Sequence, residues 1–216
     1  MVMNVLVIAA HPDDEVLGMG GTIKKFSDSG NHIELCVVSE GASAQYSDKN
    51  MIQTRRESCI NAGKILGIED FKFLDFPDAK LDSTPQLEIN IELEKIISDV
   101  KPEVVFTVSD GDLSKDHQKV FESTLVATRP INNHITRVLA YELPGSRISQ
   151  FQPTIYEDIS KEILSKKEAM MKYESEVEQF PHPRSIESIE SLAKYRGSQS
   201  GLKFAEAFRL IYQINQ

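Results

Sequence analysis

The chain has 216 residues, which suits one domain with a modest appendage and leaves two full domains cramped. With 40% apolar and 26% charged residues it is neither disordered nor fibrous. Its 33 acids against 24 bases give a net charge of -9, which repels phosphate backbones and anionic membrane surfaces, so no nucleic-acid partner is expected.

Residues 5–10 form a continuous aliphatic run, the pattern of a central strand covered on both faces in a parallel sheet. This is also the longest uninterrupted apolar stretch, far below the roughly 20 residues that cross a bilayer, so no transmembrane segment is expected. The start MVMNVLVIAAHPDDE places acids where a signal peptide needs small residues, and Cys36 and Cys59 are too few for a disulfide scaffold. The protein reads as cytoplasmic, with both cysteines as small buried hydrophobes. Further strand-like runs lie at 33–38, 71–74, 104–108 and 138–141, and helical spacing fills 17–29, 50–66, 86–99 and 116–127 between them. The alternation predicts an α/β fold, a Rossmann-like doubly wound, mostly parallel sheet whose ligands sit outside the carboxyl ends of the strands. The Ser/Asp-rich stretch 43–49 reads as a surface loop near that edge. Beyond Pro153 come a charged helical stretch at 159–175, a break at 180–183, a helix at 186–195 and a mixed pattern at 202–211. Residues 1–150 are thus expected to form the core and 151–216 a small helical and strand cap completing the same domain. Lys24-Lys25 and Lys166-Lys167 read as solvated helix faces, and His32 and His134, the latter in an Asn132-Asn133-His134 loop, are given no role.

Four of the five residues His11-Pro12-Asp13-Asp14-Glu15 are ionisable, and they follow the first strand, where such a sheet presents a ligand. His11 and Asp14 are close enough across a Pro-initiated turn to share a cation at about 2.0–2.2 Å, leaving Asp13 free to act as a base. The same residues also fit a solvated acidic turn that caps the next helix. Gly18, Gly20 and Gly21 do not make a dinucleotide fingerprint, because His11 stands where its first glycine belongs; they read as small residues that let a helix lie close to the sheet. After the fourth strand comes Asp112-Leu113-Ser114-Lys115-Asp116-His117. His117 can supply a third ligand and Asp116 a carboxylate behind the ligands or a loop brace, unless His117 is an ordinary helix histidine.

The hexapeptide Ala10 to Glu15, A-H-P-D-D-E, together with D-L-S-K-D-H at 112–117, resembles the LmbE-like or PIG-L family of zinc-dependent N-deacetylases. Arg55-Arg56-Glu57 through Leu66-Gly67 and the segment HPRSIESIESLAKYRGSQSG with FAEAF are similar to further family segments, so the resemblance spans nearly the whole chain. It implies Zn2+ held by His11, Asp14 and His117, Asp13 as general base, Arg55 as a substrate contact, and a substrate that is an N-acetylated amino sugar of the GlcNAc type or its conjugate. Arg184 and Arg196 are further candidates for that contact. Some relatives carry H-x-x-H in the second motif, whereas this chain has Ser114; His182, between Pro181 and Pro183, is the candidate to replace the missing imidazole. Alternatives are an amidase acting on another acylated amine, a non-catalytic metal-containing binding module, and a nucleotide-binding Rossmann protein. Homo-oligomerisation is left open.

Overall fold

The computed structural model describes residues 2–48, 50–131, 134–145 and 147–215; Lys49, Asn132 and Asn133 of the loops named above lie outside them. In chain order the elements are β1 (Asn4–Ala9), α1 (Asp14–Asp28), β2 (His32–Ser39), α2 (Asn50–Leu66), β3 (Asp70–Phe76), α3 (Gln86–Val100) and β4 (Val104–Val108). They continue with α4 (Lys115–Ala127), β5 (Arg137–Tyr141), β6 (Ile155–Asp158), α5 (Ile163–Met170), α6 (Ile186–Ser200) and β7 (Ala205–Gln213).

One sheet runs in the order β3-β2-β1-β4-β5-β7-β6. The first five strands are parallel, and β7 runs antiparallel between β5 and β6. β1 is central, as its unbroken apolar run requires: Val7 is paired with Leu35 on one side and Phe106 on the other, and residues 5–9 are fully buried. Of the α1 glycines, Gly18 sets the approach to the sheet, whereas Gly20 and Gly21 face Lys166 of α5 and Ile159 just after β6. A Cβ on Gly18 would fall 2.2 Å from Tyr141 Cδ2, and one on Gly21 would fall 2.7 Å from Ile159 Cβ.

The last third of the chain supplies two strands of this sheet as well as covering it. The 202–211 pattern is β7, and β6 carries no comparable apolar run. The helical stretch expected at 159–175 is helix only over Ile163–Met170, because Tyr173 and Glu176 turn inward and are buried. Lys166 corrects its sequence reading. It is no solvated face: its ammonium is buried on Glu206 at 2.5 Å and on the Leu17 carbonyl at 3.0 Å. Glu206 also accepts the N–H groups of Gly21 and Thr22, so α1, α5 and β7 are pinned at one carboxylate. No described helix is long and apolar enough to cross a membrane.

Candidate metal centre and active site

The order β2-β1-β4 makes the space between β1 and β4 the point where the winding reverses, and loops leaving adjacent carboxyl ends diverge there into a crevice. The loop after β1 carries His11 to Glu15, and the loop after β4 carries Asp112 to His117. Two stretches a hundred residues apart in sequence are thus brought face to face.

His11 Nδ1 lies 3.2 Å from His117 Nε2. Asp14 Oδ2 is 3.7 Å from the former nitrogen and Asp14 Oδ1 3.4 Å from the latter. Asp14 Oδ2 accepts the Ala10 and His11 N–H groups, which leaves Oδ1 for an ion, and one donor atom from each of the three residues lies within 4.8 Å of the others, a triangle near the roughly 3.3–3.6 Å ligand spacing of tetrahedral zinc. Each imidazole has a carboxylate behind it: His11 Nε2 faces Asp116 at 3.0 Å and Asp78 at 3.3 Å, and His117 Nδ1 faces Asp112 at 3.1 Å. Such partners fix the tautomer and turn the opposite nitrogen toward the ion. Burial alone would lower the His117 pKa, but Asp14 and Asp112 outweigh it and push it up to about 9 without a metal. His11 is raised in the same way against its burial by Asp116, Asp14 and Asp78. The surroundings therefore favour positive charge at this point, which a cation supplies. Among the described residues a third His/acid group, His32 with Glu34 and Asp70, lies at the opposite end of β2, where Lys72 already pairs with Glu34.

Asp13, next in sequence to Asp14, does not itself line the cleft; it is 1% exposed, with a positive φ of 121° that non-glycine residues adopt only when held. Its N–H donates to Glu15 Oε2 at 3.1 Å, and Glu15 is fixed in turn by the Tyr173 hydroxyl. Burial pushes Glu15 up to about 8, with the Tyr173 hydrogen bond opposing. Asp13 Oδ2 has no hydrogen-bond partner, and Arg55 Nη2 and Arg184 Nε stand off at 3.5 Å each. Burial raises Asp13 to about 6, against the pull of Arg184 and Arg55.

The other sequence candidates fall in different places. Arg55 is as buried as Asp13 and does not line the cleft. Its guanidinium donates to the carbonyls of Pro12 (2.7 Å) and Gly41, holding the β1 and β2 loops together around Asp13. Gly41 is required there, since its φ is +65° and a Cβ would meet Pro12 Cδ at 2.5 Å. Arg184 does reach the cleft wall, with Nη1 2.5 Å from Glu176 Oε2. Arg196 is spent on a buried bidentate pair with Glu142, at 2.7 and 2.5 Å. Ser114 caps α4 by accepting the His117 N–H, so its hydroxyl serves the helix. His182 lines the same cleft, and its Nδ1 accepts the Arg184 N–H at 3.2 Å. Asp116 accepts from His11 and from the N–H groups of Ala79 and Leu81.

Sequence reasoning passed over Asp78, Asp112 and Glu176. Asp78 follows β3 and Asp112 follows β4, both at carboxyl edges, a signal that was readable. Glu176 gives none: it is an acid in a charged stretch, yet it is 1% exposed and bonded to Tyr46 and Arg184.

An α/β sheet with two imidazoles and a carboxylate converging at its winding reversal, where they could hold a metal ion, and a further buried acid next to them in sequence, is the arrangement a metal-dependent hydrolase requires. Residues 6–128 match the family described as PIG-L: GlcNAc-PI de-N-acetylase, and the chain belongs to that family. It is similar to the uncharacterized deacetylase YaiS of Escherichia coli (strain K12), 34% identical over 174 residues, 78% of this chain and 89% of that one. It is also similar to the diacetylchitobiose deacetylase of Thermococcus kodakarensis, 26% identical over 97% of this chain and 84% of the relative. Among solved structures, GalB, the 4-carboxy-2-hydroxymuconate hydratase of Pseudomonas putida KT2440, matches with a TM-score of 0.81 at 21% identity, covering 99% of this chain and 98% of its own; that likeness shows the fold alone.

Proposed function

We propose that this chain is a zinc-dependent N-deacetylase that hydrolyses the acetamide of an N-acetylated amino sugar of the GlcNAc type, or of its conjugate, to a free amine and acetate. The observation that carries this reading is the triangle of His11, Asp14 and His117 donors with the unpartnered Asp13 Oδ2 beside it. A divalent ion bound there supplies Lewis-acid chemistry, acidifying water and polarising an amide carbonyl. Asp13 takes the proton of the attacking water and returns it to the departing nitrogen. Burial raises the Asp13 carboxyl above the ordinary carboxylate range in the metal-free protein, the direction a group that must hold a proton needs. Arg55 keeps Asp13 in place through the Pro12 and Gly41 carbonyls, and Arg184 adjoins the substrate from the cleft wall. His182 uses Nδ1 as an acceptor, which leaves the proton on Nε2, a donor for the oxygen on which charge develops.

The substrate is a small molecule and no nucleic acid is involved, a reading supported by the net charge of -9. The two buried free cysteines support a cytoplasmic setting, and residues 1–150 and 151–216 act as one domain around one site. Release of acetate and amine from a panel of N-acetyl sugars and other acyl amides by metal-loaded protein tests the reading. Turnover confined to non-sugar amides would move the assignment to the broader amidase, and no amide turnover at all would favour a binding module.

A further inference from the structure

We propose that the part of the substrate entering this cleft bears no phosphate or carboxylate and is a neutral or amine-bearing glycan. This deepens the deacetylase reading and rests on it. The cleft has a volume of about 620 Å³, room for a saccharide of more than one ring. Its formal charge is acidic even with a divalent ion in place: the carboxylates of Asp14, Asp78, Asp112, Asp116 and Glu178 outnumber the two charges of the ion and the one guanidinium of Arg184, the imidazoles of His11 and His117 being neutral when they hold the ion. No lysine lines it among the described residues; Lys80 and Lys115, next in sequence to lining residues, stay outside it, and the Lys115 ammonium is engaged by Gln118.

The three arginines named as candidate substrate contacts each face acids or carbonyls of the protein itself. Arg184 has Nη1 on Glu176 at 2.5 Å and Nε 3.5 Å from Asp13. Arg55 is sealed behind the β1 loop on two carbonyls, and Arg196 is closed by both oxygens of Glu142. A phosphate or carboxylate entering here would meet this acidic excess, and the one guanidinium in the lining, that of Arg184, already shares Nη1 with Glu176. Glu178, exposed and not used by the metal-facing histidines, is left as an acceptor for sugar hydroxyls, and an ammonium, whether the new product amine or one on a neighbouring sugar, is favoured by the acidic excess. A net-acidic cleft also repels an approaching anion before contact, an effect that salt screens.

The test uses the metal-loaded chain and two readouts. The first is kcat/KM for acetate release from N,N'-diacetylchitobiose, N-acetylglucosamine 1-phosphate and N-acetylglucosaminyl malate, at low and high ionic strength. The second is equilibrium binding, by calorimetry, of chitobiose-type amines against glucosamine phosphates. The expected result is a preference on the order of tenfold or more for the neutral or amine-bearing compounds at low salt, shrinking at high salt. Glu178→Lys should narrow the gap. Equal or better use of an anionic substrate, or equal binding of the two ligand sets, overturns the proposal. Charge-selective binding with no acetate released from any sugar would overturn the deacetylase reading while leaving the charge preference standing.

Discussion

His11 Nε2 and Asp116 Oδ2 are 3.0 Å apart across 105 residues of sequence, and the same carboxylate takes the N–H groups of Ala79 and Leu81. One side chain therefore orients a metal-facing imidazole and ties together the loops that leave β1, β3 and β4. Asp116→Ala should weaken metal binding by about 10–100-fold, the usual loss when the partner behind a ligand is removed. Chelator competition measures it, and unchanged affinity would mean that the His11 ring is held by Asp78 alone.

Asp13 and His117 should separate cleanly on substitution. Asp13→Asn keeps the metal, because its carboxylate is outside the donor triangle, and loses about 10²–10⁴-fold in kcat. His117→Ala loses metal as well as turnover. Metal content by mass spectrometry alongside the rate distinguishes the two, and wild-type activity in Asp13→Asn would end its assignment as the base.

Metal affinity should fall with acid. In the metal-free protein the His117 pKa lies near 9, because Asp14 and Asp112 outweigh its burial, so the imidazole carries a proton at neutral pH that the ion must displace. Affinity accordingly rises with pH until that proton is gone, by about tenfold per pH unit for each proton displaced. Titration in buffers of different ionisation enthalpy counts the protons released; none released at neutral pH would contradict the arrangement.

The Lys166–Glu206 pair should be a stability element. Removing the ammonium leaves Glu206 a buried charge with only the Gly21 and Thr22 N–H groups, so Lys166→Ala should cost about 3–5 kcal/mol in urea unfolding. Lys166→Met combined with Glu206→Gln should recover much of the loss. A solvated lysine, as the sequence suggested, would cost almost nothing.

Gly18→Ala should be destabilising by about 1–3 kcal/mol, since the added methyl overlaps the Tyr141 ring and α1 must lift from the sheet. Because α1 begins at Asp14, that lift also moves a metal-facing carboxylate, and metal affinity should fall with stability. A variant as stable as wild type in thermal unfolding would show that Tyr141 can turn aside.

Sequence periodicity by itself determined the alternating elements, the central place of residues 5–10 and the two clusters at strand ends, because apolar spacing and strand-end position are local properties of a chain. The tertiary structure decided the rest. Adjacency of β1 and β4 brings His11 to His117, and pairing of β7 with β5 turns part of the expected cap into sheet. Burial commits Arg55, Arg196 and Lys166 to interior partners, although the sequence offered the two arginines as substrate contacts and the lysine as a solvated helix face. The buried carbonyls and carboxylates that hold them lie 14 to 149 residues away along the chain. Whether a charged side chain meets water or a buried carboxylate depends on which segments pack over it, and that is settled only when the whole sheet is assembled.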